Sequence, residues 1–203
     1  MKKKTARERK KMKEIWFVRH GESLANAGEA TNDHETIPLS LRGREQASAV
    51  SDNIPEPELI ITSPYLRARE TAAPTLQKWP AAKREIWDSV REFVYLAPAT
   101  CVGTTSVQRR PRVVAYWRAM DPDYCDGSGA ESYSQLLCRI RETLQRLRER
   151  KESFIVVFTH AQFIRNLLLV AAKEGMADRE YMRQFRSSQT VKNGQIIKLE
   201  FPC

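Results

Sequence analysis

No stretch of this 203-residue chain approaches the roughly 18 consecutive apolar residues that a membrane-spanning helix needs. The first residues are charged rather than apolar, so export is not expected and a cytoplasmic location is. Cysteine is sparse: Cys101, Cys125, Cys138 and Cys203 include no C-x-x-C pair. Their spacing suits neither a zinc site nor a disulfide framework, so reduced thiols are expected. Internal repeats are absent. Histidine is scarcer still, with only His20, His34 and His160.

Net charge is also nearly missing from most of the chain. The total is +9, but residues 1–13 carry eight basic side chains against Glu8, a net +7, which leaves +2 for the rest. A basic tail can bind nucleic acid or an anionic surface. Here no aromatic residues are interleaved and no nucleic-acid motif follows, so residues 1–13 are read as a solvated, frayed terminus. Neither a nucleic-acid nor a membrane partner is expected. Residues 14–203 are read as one domain, long enough for one α/β core. The sequence does not set the oligomeric state.

What is present is an alternation of short apolar runs and helical patterns. Ile15–Val18 and Leu59–Ile61 read as buried strands, and Glu85–Trp87 as a third. Ser40 opens a helix that runs to about Asn53 and is stopped by Pro55 and Pro57. Ser63 is expected to cap a helix with Pro64 in its first turn. Residues 93–129 are rich in Pro and Gly, with one helical stretch, Val113 to Met120, and read as a small lid insertion. Leu136, Leu137, Ile140, Leu144 and Leu147 recur at helical spacing between Ser132 and Arg150. Cys138 is expected on the apolar side of that helix. Phe154–Phe158 is a strand, and Gln162–Ala172 a buried helix. Gln189–Val191 and Ile196–Phe201, joined through Asn193-Gly194, are expected to form a hairpin. This order predicts an α/β fold with a mostly parallel sheet flanked by helices on both faces.

Two of the three histidines fall at strand ends. Arg19-His20-Gly21-Glu22 follows the first strand, and His160 follows Phe154–Thr159. Arg67 lies just after the second strand, and Glu92 lies in Ser89-Val90-Arg91-Glu92-Phe93. In a parallel sheet the strand C-termini share one edge, so these side chains can meet in one pocket. Such a pocket suits a phosphoryl group. Arginine presents a planar, permanently charged fork that matches phosphate oxygens, and helix N-termini add donors. A neutral imidazole is a nucleophile near pH 7, and a second histidine can offset growing charge. A carboxylic acid can protonate the leaving oxygen and then take a proton from water.

The chain resembles the phosphoglycerate-mutase-like branch of the histidine phosphatase superfamily. The resemblance covers nearly everything after the tail. Arg19-His20-Gly21-Glu22-Ser23, with Asn26 six residues past His20, is similar to the family's first motif. Leu39–Ala47 is similar to its first-helix opening, and Thr62–Ala68 to its second motif. Gly129-Ala130-Glu131-Ser132 is similar to its G-x-E-S turn. Thr159-His160 with Ile164-Arg165 resembles the final motif. The resemblance implies a phosphoglycerate-mutase-like fold and His20 as nucleophile through a phosphohistidine. It also implies a phosphate clamp of Arg19, Arg67 and His160, a phosphate contact from Asn26, and Glu92 as proton donor and acceptor. It implies no metal and no cofactor.

Two departures lean towards hydrolysis. Ala161-Gln162 stands where the family often has Gly-Gly, and Gln162 could narrow the pocket or add a hydrogen bond to the phosphate. Ala25, not Trp, precedes Asn26, and the chain is shorter than the cofactor-dependent mutases. The expected function is hydrolysis of a small phosphorylated substrate; the alternative is a phosphoglycerate-type phosphomutase. Glu85, Asp88 and Glu131 compete with Glu92 for the acid, and Glu131 could instead stabilise the start of the long helix. His34, in a polar loop, is expected to face solvent. Arg109, Arg110 and Arg112 could read an anionic substrate or form a solvated basic face. Gly21 is expected to let the backbone pass close to a phosphate.

Overall fold

A computed structural model describes residues 12–202. The basic tail before Met12 and Cys203 lie outside the described residues. Five strands of the described chain form one sheet: β1 (Met12–Arg19), β2 (Leu59–Thr62), β3 (Lys83–Ile86), β4 (Phe154–Thr159) and β5 (Ile196–Pro202). Their order is β3-β2-β4-β1-β5. The first four are mutually parallel, and β5 runs antiparallel to β1. Among the described residues six α-helices accompany them: α1 (Leu41–Asp52), α2 (Leu66–Lys78), α3 (Ser106–Ala119), α4 (Tyr133–Arg148), α5 (Ala161–Ala172) and α6 (Asp178–Ser187).

The period-2 alternation of the strands divides the core in two. Ile15 and Phe17 of β1, with Ile155 and Val157 of β4, face Leu136, Ile140 and Leu144 of α4 and Phe163 and Leu167 of α5. Trp16 and Val18, with Val156 and Phe158, face Val50 of α1 and Ala72 of α2. Both faces of the sheet are thus covered, as a largely parallel sheet requires. Each buried Leu, Ile or Phe contributes about 1.5–3 kcal/mol.

Several local expectations are corrected. β1 takes in Lys13, which the charge pattern groups with the tail. This buried ammonium donates to Leu147 O at 3.1 Å, Arg148 O at 2.7 Å and Arg150 O at 2.5 Å. A cation there offsets the negative C-terminal end of α4. Ser63 does not cap α2. That helix starts at Leu66 after Tyr65, and the Ser63 hydroxyl turns into the sheet edge. Among the described residues no hairpin forms near the C-terminus, since only Ile196–Pro202 is a strand there and it takes the antiparallel edge beside β1. The Asn193-Gly194 turn survives, with Gly194 at φ +71°. It donates from Gly194 N to Arg19 O at 3.1 Å. Cys138 is exposed, with Sγ against Glu142. It lies roughly 200° around the helix from Ile140, off the buried stripe.

Residues 93–129 hold more helix than expected. α3 starts at Ser106, and its N-terminus is fixed by a capping box between Thr105 and Gln108. Tyr116 and Trp117 carry it onto the body. Trp117 stacks on Phe185 at 5.0 Å between ring centroids, and Tyr116 meets Phe93 and Tyr95. Among the described residues no helix is long and apolar enough to cross a membrane.

Candidate active site

Strand register builds the site. Arg19 of β1 pairs with Thr159 of β4, and Thr62 of β2 with Phe158. The residues one step beyond are His20, His160 and Ser63, all at the carboxyl edge of the sheet. His20 N donates to Thr159 O at 3.0 Å, and Ser63 N to Phe158 O at 2.9 Å. The two imidazoles are buried, with ring centroids 5.2 Å apart.

Each ring is oriented by a neighbour. His20 Nδ1 lies 2.6 Å from Gly21 O. A carbonyl can only accept, so Nδ1 carries the proton and Nε2 keeps the lone pair. Arg67 Nε donates to that Nε2 at 3.2 Å. His160 Nε2 lies 2.8 Å from Ser63 Oγ, and its Nδ1 is buried with no partner among the described residues. Ser63 is a site residue that sequence reasoning misreads as a helix cap. Its place one step past the end of β2, on the same edge as His20, is the available signal.

The loop after His20 is clamped from below. Gly21 N donates to Thr71 Oγ1 at 3.0 Å. A Cβ on Gly21 would lie 2.4 Å from Gly43 O, and one on Gly43 2.0 Å from Glu22 O. The glycine in Arg19-His20-Gly21 is therefore required by the backbone of α1, a different cause from the expected approach to phosphate. Asn193 Nδ2 ties the same loop from above, to His20 O at 3.1 Å and Asn26 Oδ1 at 3.0 Å.

The two arginines are held by carbonyls. Arg67, buried in the first turn of α2, donates from Nη1 to His34 O at 2.6 Å. Arg19 donates from Nη1 to Val191 O at 2.7 Å, and its Nε is buried without a partner among the described residues. Neither forms an ion pair among the described residues, whereas Arg69, two positions on from Arg67, is exposed. Burial lowers both guanidinium pKa values, and the nearby Glu92 charge works the other way. Glu92 sits over the start of α5. Its Oε1 accepts from Phe93 N at 2.9 Å and Phe163 N at 3.2 Å, and its Oε2 from Gln162 N at 3.4 Å. The competing acids are engaged elsewhere. Glu131 pairs with Arg139 at 2.5 Å, Asp88 with Arg91 at 2.6 Å, and Glu85 with Arg150 at 2.7 Å. Arg139 Nη1 also donates to Ser89 O and Arg91 O, so this buried pair fixes the turn that presents Glu92. Ser132, not Glu131, caps α4.

A cavity of about 210 Å³ opens beside Arg67 and Glu92. His34 is half-buried on its wall, edge-on to Tyr65 at 5.3 Å, which corrects the expectation that it faces solvent. Asn26 is exposed, and Gln162 is half-buried in the first turn of α5. Neither is among the residues lining that cavity.

Burial pushes both histidine pKa values well below 6.5, and the Arg67 charge adds to the shift in each. Both rings are therefore neutral near pH 7. In the unfolded chain they titrate near 6.5. Below that pH the unfolded chain binds protons the folded one refuses, so stability falls with pH until the lowered folded values are reached. Each ring contributes up to about 1.4 kcal/mol per pH unit over that window. Thermal melting should therefore drop steadily below about pH 6.5, and a His20→Asn variant should show a shallower slope. A melting temperature flat from pH 7 to pH 5 would contradict the neutral, buried pair.

Fold and site together define an α/β protein that gathers two buried histidines and two arginines, without an ion pair among the described residues, at the carboxyl edge of its sheet. The chain belongs to the histidine phosphatase superfamily (branch 1), whose sequence profile matches residues 15–201. It is 31% identical over 160 residues to phosphoglycerate mutase-like protein 4 of Arabidopsis thaliana, covering 76% of this chain and 69% of that protein. The fold is shared with a mycobacterial glucosyl-3-phosphoglycerate phosphatase at TM-score 0.71 and 21% identity, over 93% of this chain and 90% of that one. It is shared also with a phosphoglycerate mutase from Thermus thermophilus, at TM-score 0.65 and 23% identity over 93% and 94%.

Proposed function

We propose that this protein hydrolyses phosphomonoesters through a phosphohistidine on His20. One observation carries this reading. Arg67 is buried and Arg19 half-buried, yet neither has a carboxylate in ion-pair contact among the described residues. A buried charge without a partner is costly, and an anionic ligand between the two guanidiniums would offset that cost. Arg19 Nε, a further donor, and His160 Nδ1 also have no partner among the described residues.

In the first step a phosphate oxygen takes the Arg67 Nε hydrogen bond from His20 Nε2 and frees its lone pair. Nε2 attacks phosphorus in line, and the bond to the ester oxygen breaks. Glu92, protonated, gives its proton to the departing oxygen, which leaves as the alcohol. In the second step water attacks the phosphohistidine and gives a proton back to Glu92. Inorganic phosphate leaves, and His20 is regenerated. Arg19, Arg67 and His160 hold the phosphoryl oxygens and offset the charge that gathers on them. Asn26, whose Oδ1 is spent on Asn193, offers its amide N–H groups to the phosphate, and Gln162 offers its side chain from the first turn of α5. The substrate is a small molecule and the location cytoplasmic.

The test is product analysis. With 3-phosphoglycerate and with p-nitrophenyl phosphate, the protein should release inorganic phosphate, and acid-labile, alkali-stable phosphate should be trapped on His20 after a rapid quench in base. Interconversion of 2- and 3-phosphoglycerate faster than phosphate release would instead identify a mutase.

A further inference from the structure

We infer that Ser63 is a positioning residue: its hydroxyl holds His160 in the Nδ1–H tautomer and so makes that ring a hydrogen-bond donor to the phosphoryl group. The use of the donor rests on the phosphatase reading above; the tautomer itself does not.

The assignment follows from where the protons can go. Ser63 is buried one step past the end of β2, and its Oγ has two partners among the described residues. Tyr65 N donates to Oγ at 3.3 Å, and His160 Nε2 lies 2.8 Å away. A backbone N–H can only donate, so Oγ accepts from Tyr65 and has one proton of its own to place. Two arrangements are then open. If Nε2 carries the ring proton, Oγ accepts a second time. Its own proton finds no acceptor among the described residues, and the buried Nδ1 lone pair is bare as well. If Nδ1 carries the proton, Oγ donates to the Nε2 lone pair and Ser63 is satisfied. Only the Nδ1–H is left unmet. Each buried polar group left unpaired costs stability, so the arrangement with one unmet group wins over the one with two.

The ring cannot escape the choice by carrying both protons. Burial, with the Arg67 charge behind it, holds the His160 pKa well below 6.5. Nor is the ring free to turn. It packs edge-on against Tyr65 and against His20, each at 5.2 Å between ring centroids. A phosphoryl group at His20 is thus within reach of His160, and its oxygen supplies the acceptor that the Nδ1–H lacks. The donation costs no charge on the ring, which leaves Arg19 and Arg67 to meet the phosphate's charge.

The test reads the tautomer directly. Two-bond proton–nitrogen NMR on protein with nitrogen-15 histidine tells a protonated ring nitrogen from a bare one, and three histidines make assignment simple. At pH 7.5 His160 should show a protonated Nδ1 and a bare Nε2, and orthovanadate should shift the Nδ1 proton downfield. In Ser63→Ala the Nε2–H form should appear alongside. With p-nitrophenyl phosphate, kcat of that variant should fall by about tenfold or more while KM stays within about twofold, since the donor is lost mainly as charge develops. A protonated Nε2 in the parent protein would overturn the inference, and so would an unchanged tautomer and kcat in Ser63→Ala. The parent spectrum decides the tautomer even where that variant fails to fold. If the parent shows the Nδ1–H form but cleaves no phosphomonoester, the phosphatase reading fails and the tautomer stands.

Discussion

Replacing His20 with Ala should lower turnover of any phosphomonoester by about 10⁴-fold or more and abolish the trapped phosphoenzyme. That is about 5.5 kcal/mol of transition-state stabilisation at 1.36 kcal/mol per decade. The size follows from the geometry. Gly21 O fixes the Nδ1–H tautomer, so the buried ring keeps its lone pair on Nε2, the atom proposed to attack. The arginines survive the change, so orthovanadate should still protect the variant against thermal unfolding. Anion binding without turnover is the signature to look for. Turnover within tenfold of the parent protein would sink the assignment of the nucleophile.

Changing Glu92 to Gln should lower kcat/KM for an alkyl phosphate by about 10²–10⁴-fold. The amide keeps one oxygen to accept from Phe93 N and Phe163 N, so the start of α5 stays capped. What it loses is a proton to give. The effect should therefore depend on the leaving group. For p-nitrophenyl phosphate, whose phenolate leaves without help, phosphorylation of His20 should survive and dephosphorylation should become limiting. Accumulated phosphoenzyme in the variant would record this directly. An equal loss with both leaving groups would show that Glu92 only holds α5 in place. Glu131→Gln should instead reduce stability, since it leaves Arg139 buried without its carboxylate.

Much of this site is legible in the chain. Apolar runs of three to five residues between helical patterns mark the α/β alternation, and the residues just past them are the ones to watch. His20, Arg67 and His160 stand out that way. Other features give weaker signals. α6 buries only Tyr181, Met182 and Phe185 in an otherwise polar segment, so its pattern is easily passed over. α3 reads as starting too late because its apolar residues are few, although Thr105 and Gln108 mark its start. The C-terminal hairpin is expected from a true turn signal, but the segment before the turn does not pair with β5, and its Val191 O accepts from Arg19 Nη1 instead.

The sequence by itself determined the strand ends, the residue types placed there and the family to which they belong. These depend on local periodicity and motif spacing, which one chain displays without a partner. Only the tertiary structure decided the rest. Pairing of Arg19 with Thr159 puts the two histidines side by side, and contact between Gly21 and Gly43 sets the loop. The Arg139–Glu131 pair separates the acid at the site from the acid in the core. Each joins residues at least 22 positions apart, except the last, whose effect reaches Glu92 through carbonyls about 50 residues away. Contacts of that range leave no periodic trace, because they depend on which surfaces the folded layers bring together.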